Sequence, residues 1–558
     1  MTYLTDRQMK RGAFCASLVA YLFVGYWLQV RHGFIIGDSL ARVSAAQSVL
    51  YSRDPHLAAI GFIFTPLTAL VELPAIALSP VWPAMTERAF SGTIMSAVFM
   101  AGAVLQILCL GIDRGLPRIY LLCTASLFAV NPMIIFYGSN GMSEAPFIFF
   151  MSWAVRRLIM WMADDDVHHL VTAGGIAMGL AYLTRYDAAA CIAAAGFVVG
   201  TTTYLRARPQ PRMRRALLDL LMVSGPGTAA FLGWAVISWL ITGEAFAQFT
   251  SQYGNSAILE QSGQNAPTFA SGVAFAVGCI FLMAPTLLPI GLWAAARRRR
   301  QSNWYVLVVP VAIFGAALTF QLLSYATGST FPFLRFYIIA VPLTAFMALL
   351  AVPDGASAKA KRRGRYAPPP RLVAPKTRSR LAYLPVLLAF ALCVPFTAWG
   401  MSLPKYAPQE HSLGAVLDPD LWNTSERKAL QRRIAVTFST ERHIARYIDD
   451  LDLPDSSVIT DTVYGFAVLA ASRRPQNFVV PSDPDFTALL NDPVDSGIRY
   501  LLAVPPTGRG RSDALNLRYP TLYETGADIA TLELEIPNDG DSQPNWRLYK
   551  VLNPAPEG

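Results

Sequence analysis

The sequence predicts a polytopic α-helical membrane protein that ends in a soluble α/β domain. Of its 558 residues, 53% are hydrophobic and only 15% are charged. This composition is too apolar for an ordinary soluble protein, and the chain is too long for one domain. The basic residues cluster in short loops between apolar runs, as membrane topology signals do. The last part of the chain instead carries short β-prone runs.

Charge and cysteine usage exclude several classes of function. The formal net charge is +9, but a nucleic-acid-binding protein would spread its basic residues along one groove-facing surface. Nucleic acid is therefore not an expected partner. All 6 cysteines fall inside apolar segments, so no disulfide framework and no CxxC metal site is predicted.

The loops predict about eleven membrane spans, because that number puts every strongly basic loop on the inner side. Arg7, Lys10 and Arg11 precede the first span and place the N-terminus in the cytoplasm. This first span is expected to be retained, since no Ala-x-Ala cleavage site follows it. The spans best defined by the sequence are 12–30, 89–111, 119–137, 145–162, 189–205, 216–242, 304–324 and 382–400.

Two parts follow from this topology, a transmembrane catalytic module over 1–402 and an extracytoplasmic α/β domain over 403–558. In the first outer loop, 31–88, Ser39 to Tyr51 predicts an amphipathic surface helix. Residues 57–82 are apolar but rich in proline, which favours an interfacial or re-entrant hairpin over a span. The basic, proline-rich segment 353–380 is predicted to be a disordered inner linker that contacts anionic lipid.

The C-terminal part predicts strands and helices but no catalytic motif. The runs SSVITDT, QNFVVPS, RYLLAVPP, IATLELEI and WRLYKVL are typical of strands, and TERHIARYIDDL and PDFTALLND of helices. No glycine-rich phosphate loop or metal cluster accompanies them. We therefore interpret this domain as a lid or an acceptor-docking module.

The topology brings polar side chains from several loops to the outer ends of the helices. Charged groups on one membrane face suit a ligand that joins an acyl chain to a charged head, since arginine forks hold a phosphate. A carboxylate beside that phosphate can deprotonate a hydroxyl as a general base. The candidate base is Asp38, because an ionisable residue at this boundary is costly to keep. The other candidates, for donor or substrate binding, are Arg42, Arg53, Asp54, His56, Glu144, Arg185, Asp187, Tyr325 and Arg335.

Structural roles remain open for several of these residues. Asp38 alternatively caps the surface helix, and Arg53 with Asp54 alternatively forms a local ion pair. Glu144 is also placed where the dipole of a helix N-terminus favours a negative charge. Arg185 and Arg335 alternatively anchor span ends at the lipid headgroups.

Several features together resemble the GT-C superfamily, which includes the protein O-mannosyltransferases and the lipid A aminoarabinose transferase. They are an acidic residue after the first span, a long first outer loop, and an outer glutamate before the fourth span. A TRYD segment, an LRFYIIAVPL segment and a C-terminal domain ending in WRLYKV complete the pattern. The resemblance covers the layout of nearly the whole chain.

The resemblance implies that Asp38, in GDSLARV, matches the catalytic acid of the first outer loop. Ser39 stands where O-mannosyltransferases commonly have a glutamate, which argues against a protein hydroxyl as acceptor, and Asp54 is the candidate for a supporting role. The implied protein is a multi-pass enzyme of the cytoplasmic membrane. It moves a sugar from a polyprenyl-phosphate carrier to an envelope glycan, glycolipid or protein by an inverting displacement.

No cofactor is certain on this reading. A divalent cation (Mg, Mn or Ca) remains open, with Asp38 as its candidate ligand. Two other functions also remain open: a transporter or flippase of lipid-linked sugars, and an assembly scaffold with a sensor domain. The chain shows no internal repeat of the kind many transporters carry.

Overall fold

A computed structural model describes residues 5–207, 211–261, 263, 266–299, 304–353, 383–417 and 426–552. The predicted inner linker 353–380 lies outside these residues except for its first one. The helices of the membrane part run over Asp6–Gly25 with a π-helical continuation Tyr26–Arg31, Phe90–Asp113, Arg118–Ala129, Pro132–Tyr137, Glu144–Asp164, Val167–Leu170 continued by the π-helical Val171–Met178 and by Gly179–Tyr182, Ala188–Arg206, Arg212–Thr242, Phe269–Met283, Leu287–Arg299, Val308–Ala326, Ala340–Ala351, Leu384–Ala391 and Cys393–Met401.

The chain is a polytopic helical membrane protein. Within the described ranges, 7 helices are long and apolar enough to cross a membrane, and the pair Phe269–Met283 and Leu287–Arg299, bent by 74°, makes an eighth candidate. Helices also lie at the other predicted spans, but they are shorter or more polar. The predicted span 119–137, for example, is broken because Asn131 caps a new helix that begins at Pro132. The count of eleven spans stays a prediction.

The first loop forms helices at Gly37–Tyr51, Leu67–Ile76 and Ala84–Glu87, with a 3-10 turn at Leu57–Ile60. The helix Gly37–Tyr51, called the Asp38 helix below, lies where a surface helix was predicted, but it is buried between protein elements. Its apolar side chains Leu40 and Val43 are buried against Ala69 of the first loop and Ala467 of the C-terminal part. The Asp38 helix is therefore clamped between two protein elements. Leu67–Ile76 is only 10 residues long, shorter than a membrane span requires.

The C-terminal part contains a 5-stranded mixed sheet in the order β2-β1-β3-β5-β4. The strands are β1 Val458–Ile459, β2 Phe478–Val479, β3 Tyr500–Ala503, β4 Ala530–Ile536 and β5 Trp546–Val551. β1 pairs in parallel with β2 and β3, and β5 pairs antiparallel with β3 and β4. The helices of this part are Gly414–Leu417, Glu426–Ala435, Ser439–Asp450, Thr462–Ala471, Phe486–Asn491, Ala514–Arg518 and Leu522–Thr525. Apolar clusters on both faces of the sheet confirm an α/β domain.

The segment before the sheet domain packs with the membrane helices. Leu403, Tyr406, Ala407 and Val416 belong to the same apolar cluster as the membrane core. We call the side of the membrane helices that carries the first loop and the sheet domain the domain face.

Candidate functional site

Asp38 lies on the domain face and its carboxylate pairs with an arginine from a distant helix. The N-cap of the Asp38 helix is Ile36, so Asp38 lies in the first turn and does not cap it. Its Oδ2 accepts a hydrogen bond of 2.9 Å from Nη2 of Arg335. Nη1 of Arg42, one turn along the helix, donates to the Asp38 main-chain oxygen at 3.1 Å. Nη1 of Arg42 and of Arg335 lie 3.8 and 3.9 Å from the Met142 sulfur, so two guanidinium groups converge beside Asp38.

The electrostatics keep Asp38 in its carboxylate form. The side chain reaches solvent at one edge of the cleft (40% exposed), whereas that of Arg335 is only 6% exposed. Desolvation within the cleft is the largest influence and by itself raises the pKa of Asp38, but the charges of Arg335 and Arg42 together outweigh it. The pKa of Asp38 therefore lies below its ordinary value, and the group is ionised at neutral pH.

Arg185 is the centre of a second ion-pair network, next to the first. Its Nη1 donates to Glu144 Oε1 at 2.8 Å and its Nη2 donates to Asp187 Oδ2 at 2.8 Å. Gln321 donates to the same Asp187 oxygen at 2.7 Å. Glu144 begins a helix, as the sequence allowed, but its carboxylate is directed to Arg185.

The two networks meet at one aromatic ring. The Arg185 guanidinium lies 5.8 Å and that of Arg335 lies 5.3 Å from the centre of the Phe336 ring. Met142 and Glu144, which contact Arg335 and Arg185 respectively, are two residues apart in the chain. Asp38, Arg42, Glu144, Arg185, Asp187 and Arg335 therefore form one polar cluster, called the Asp38 cluster below.

The remaining predicted site residues lie elsewhere. Arg53 pairs with Asp483 at 3.3 Å and with Asp485, both in the sheet domain. Nδ1 of His56 lies 2.7 Å from the main-chain oxygen of Asp54, and both side chains are partly exposed. Within the described residues, none of these three side chains makes a hydrogen bond or ion pair with the Asp38 cluster.

Tyr325 also lies apart from the charged groups. Its ring packs against Phe275 with 4.7 Å between ring centres, and Phe275 in turn stacks on Tyr406. This aromatic stack joins two membrane helices to the segment before the sheet domain.

Sequence reasoning missed a buried tyrosine–glutamate pair beside Arg335. Tyr137 donates to Glu410 Oε1 at 2.5 Å, and the charges of Glu410 and Arg335 act on each other. Burial raises the pKa of Glu410. Glu410 follows the last span and belongs to no motif, so no sequence signal pointed to it.

The structure also connects the sheet domain to the cluster. Tyr253 donates to Asp461 at 2.9 Å, and Asn255 of the same loop donates to the Tyr186 hydroxyl at 2.6 Å. Tyr186 lies between Arg185 and Asp187 in the chain. The charge of Arg509, on a 3-10 turn of the sheet domain, also acts on Asp38. The sheet domain therefore lies close to the Asp38 cluster and is linked to it through the loop that carries Tyr253 and Asn255.

The surroundings of Asp38 do not fit a divalent cation. Its nearest charged partners are Arg335 and Arg42, which repel a metal ion. In the part of the chain that the structure describes, no three His, Cys, Asp or Glu side chains group together as metal ligands.

An apolar groove of about 450 Å³ lies next to the cluster and is lined by Phe62, Pro66, Leu183 and Trp234 among others. One of its walls comes from the segment of the first loop that also carries Phe64. The Phe64 ring lies 4.2 Å beneath the Arg42 guanidinium. The lining is apolar throughout, and Leu183 comes two residues before Arg185 of the cluster. The groove therefore suits the apolar part of an amphiphilic ligand whose charged part lies at the cluster.

Comparison with solved structures shows the fold. The crystal structure of ArnT from Cupriavidus metallidurans bound to undecaprenyl phosphate matches over 98% of this chain and 98% of that chain, with 12% identity and a TM-score of 0.55. The apo ArnT structure matches over 98% of each chain with 14% identity and a TM-score of 0.52. The predicted resemblance to the GT-C superfamily is confirmed at the level of the fold.

A looser likeness is to the archaeal oligosaccharyltransferase AglB from Archaeoglobus fulgidus, in complex with an inhibitory peptide and a dolichol-phosphate. It spans 88% of this chain and 69% of that chain, with 12% identity and a TM-score of 0.38. No protein-family model matches the chain, and no curated protein does.

Proposed function

We propose that this chain is a membrane glycosyltransferase that takes a sugar from a polyprenyl-phosphate-linked donor and transfers it to a glycan, glycolipid or protein of the cell envelope. The observation that carries the proposal is the Asp38 carboxylate, held by Arg335 next to an apolar groove, in a chain with the fold of ArnT. ArnT was crystallised with undecaprenyl phosphate, a ligand with the amphiphilic character that groove and cluster suit.

The proposed orientation follows the basic loops. Positive residues of the short loops stay on the cytoplasmic side, so the N-terminus is cytoplasmic and the domain face is extracytoplasmic. The donor's polyprenyl chain occupies the apolar groove, and its phosphate reaches Arg335 and Arg185 from the lipid side. Arginine forks suit this role because their paired N–H donors match phosphate oxygens.

The reaction is a single inverting displacement. An acceptor hydroxyl oxygen forms a bond to the anomeric carbon while the bond from that carbon to the phosphate oxygen breaks. The hydroxyl proton passes to Asp38, and the electron pair of the broken bond leaves with the polyprenyl phosphate. Arg335 and Arg185 stabilise the charge that develops on this leaving group.

The other residues of the cluster position these groups. Glu144 and Asp187 fix the guanidinium of Arg185 from two sides, and Arg42 fixes the first turn of the Asp38 helix. Arg53, Asp54 and His56 shape the first loop, and Arg53 joins it to the sheet domain through Asp483 and Asp485.

Asp38→Asn tests the proposal directly. The amide has nearly the shape of the carboxylate but cannot accept the proton, so transfer should fall about 10²- to 10⁴-fold. The assay follows radiolabelled sugar on a short polyprenyl phosphate in detergent, with an extract of envelope glycolipids and glycans as acceptor. Transport of a lipid-linked sugar gives no product under these conditions.

The matched control is Asp450→Asn, an exposed acid in the helix Ser439–Asp450 of the sheet domain. It should transfer at the wild-type rate and keep the wild-type unfolding temperature. Asp38→Asn should unfold at a somewhat lower temperature, because the buried Arg335 loses its ion-pair partner, and should still elute as a folded, monodisperse protein. A wild-type rate for Asp38→Asn would rule out Asp38 as the base.

A further inference from the structure

A second group of arginines lies where the first loop meets the sheet domain. Arg88 comes two residues before the membrane helix Phe90–Asp113, and Arg442 and Arg446 lie one turn apart on the helix Ser439–Asp450. Two of the guanidinium groups approach the same point beside Gly33. A Cβ atom placed on Gly33 would be 3.0 Å from Arg88 Nη1 and 3.4 Å from Arg442 Nη2. We call Arg88, Arg442 and Arg446 the arginine triad.

The triad is not balanced by carboxylates. Glu87 lies 2.8 Å from Arg446 Nη2 and 3.7 Å from Arg88 Nε. Glu441 is next to Arg442 in the chain, but its carboxylate accepts hydrogen bonds from Trp546 at 3.0 Å and Asn538 at 2.7 Å. In the described parts of the chain, the three guanidinium groups therefore share one carboxylate within ion-pair distance.

Arg442 bears the cost of this imbalance. Its side chain is buried, with the residue only 7% exposed, and Nη1 has no hydrogen-bond partner among the described residues. Burial and then the charge of Arg88 lower the pKa of Arg442 to about 10. A buried cation without a partner is strongly unfavourable. An anion placed between Arg88 and Arg442 would offset the desolvation cost and the repulsion by its attraction to both groups.

The triad lies at the membrane boundary. Gly33 follows the first candidate span, Asp6–Arg31, and Arg88 precedes the next, Phe90–Asp113. Beside Arg88 the first loop exposes an apolar edge, in which Val81 is 89% and Trp82 is 40% exposed. The Trp82 ring packs on Phe90 with 5.1 Å between centres. Exposed tryptophan beside arginine is typical of the headgroup layer of a bilayer.

We propose that the arginine triad is a phosphate-binding site, separate from the Asp38 cluster, that takes the phosphate of a membrane-lipid headgroup. Arg88 and Arg442 face the same point beside Gly33, and Arg446 lies one turn along the helix from Arg442. Guanidinium forks placed in this way suit the several oxygens of a phosphate group. The exposed apolar edge at Val81 and Trp82 provides a surface for the acyl chains. Because Arg88 belongs to the first loop and Arg442 to the sheet domain, the bound phosphate also joins these two parts.

The test uses the purified full chain, stripped of lipid in detergent, and measures its unfolding temperature. One arm adds inorganic phosphate at constant ionic strength, balanced with sodium chloride. The other adds mixed micelles of phosphatidylglycerol, with phosphatidylcholine micelles as the neutral comparison. A ligand that binds only the folded protein raises the unfolding temperature as its concentration rises.

We expect phosphatidylglycerol to raise the unfolding temperature of the wild type, with apparent affinity reduced about tenfold or more in Arg442→Gln and in Arg446→Gln, since each removes a charge-assisted contact. The Arg446 side chain is 51% exposed, so its replacement does not endanger folding. The control Arg473→Gln changes an exposed arginine outside the triad and should keep the wild-type response.

The two arms separate the sources of the phosphate. A response to phosphatidylglycerol, with or without one to inorganic phosphate, supports the headgroup site. A response to inorganic phosphate alone overturns the lipid assignment and assigns the triad to a soluble phosphate. A response to neither, or equal responses in wild type and both triad variants, overturns the site.

Discussion

The Asp38 cluster and the arginine triad both gather arginines on the domain face, but their charges are balanced differently. In the Asp38 cluster, Arg335 faces Asp38 and Arg185 faces Glu144 and Asp187. In the triad, Arg442 is buried with no carboxylate within ion-pair distance among the described residues. A balanced cluster holds its arginines in place without a ligand, whereas an unbalanced one gains stability when an anion binds.

This difference suits two kinds of binding. A substrate phosphate that enters the Asp38 cluster has to compete with carboxylates, so it binds reversibly and can leave as product. The same exchange would turn Arg335 from Asp38 towards the phosphate and leave the carboxylate available to the acceptor hydroxyl. The triad has no competing carboxylate at Arg442, so a phosphate bound there is expected to stay.

The largest expected effect is on the transfer rate and comes from removing the charge of Arg335 in the Asp38 cluster. Arg335→Gln should lower the transfer rate about 10²- to 10³-fold, because it removes a donor that stabilises the leaving phosphate. It should also change the pH profile. Arg335 helps to hold the pKa of Asp38 below its ordinary value, so without it the rate should begin to fall at a higher pH on the acid side.

The measurement is kcat and KM for the donor across the acidic range, with Arg473→Gln as the control for loss of one positive charge. Arg335→Lys keeps the positive charge but loses the paired N–H donors of the guanidinium. It should therefore restore the wild-type pH dependence on the acid side more fully than the transfer rate. An unchanged acid limb in Arg335→Gln would show that Arg335 does not set the protonation of Asp38.

Replacing an arginine should change the unfolding temperature in opposite directions in the two clusters. In phosphate-free and lipid-free detergent, Arg442→Met should raise the unfolding temperature by about 2–4 °C, the shift that roughly 1 kcal/mol produces in a domain of 150–250 residues. Methionine fills the space of the stem without a buried charge. Arg335→Gln should instead lower the unfolding temperature, since it leaves Asp38 without its ion-pair partner.

Phosphatidylglycerol should abolish or reverse the advantage of Arg442→Met, because the wild type then gains its missing anion. Differential scanning fluorimetry with and without the lipid measures the change in unfolding temperature under both conditions on the same preparations. A destabilising Arg442→Met in lipid-free detergent would contradict the unbalanced charge assigned to the triad.

The elements that the sequence predicted well are those determined by local pattern. All five predicted strand runs contain a strand of the sheet, because alternation and β-branched residues act within a few positions. The Asp38 helix was likewise predicted within two residues. The break between Met283 and Leu287 contains Pro285, which interrupts helical hydrogen bonding, but hydropathy alone does not indicate the bend.

The sequence predicted which residues form the site, but it did not predict which of them pair with each other. Topology placed Asp38 and Arg335 on one face, yet nothing in their neighbourhoods shows that residues 297 positions apart share a hydrogen bond. The same limit hid Glu410, whose partner Tyr137 lies on another helix, and Arg442, which lies near Arg88 of the first loop. It also obscured Arg53, whose partners Asp483 and Asp485 lie in a domain without a recognisable motif.

The smallest expected effect tests how Arg53 divides its charge between those two acids. Asp485 is 51% exposed, so Asp485→Ala should cost only about 0.2–1 kcal/mol. The Asp483 side chain is 1% exposed and also accepts a hydrogen bond of 3.0 Å from the Val480 amide. Asp483→Ala should therefore cost about 1–3 kcal/mol, because it leaves a buried donor unsatisfied.

Urea unfolding of the full chain in detergent, followed by tryptophan fluorescence, compares the two variants, and Asp450→Asn provides the control for loss of an exposed acid. Equal costs for Asp483→Ala and Asp485→Ala would show that burial does not decide the strength of this contact. A larger cost for Asp483→Ala would extend the contrast between the two clusters to Arg53, whose guanidinium binds one buried and one exposed carboxylate. Only the buried carboxylate would then contribute appreciably to holding the first loop against the sheet domain.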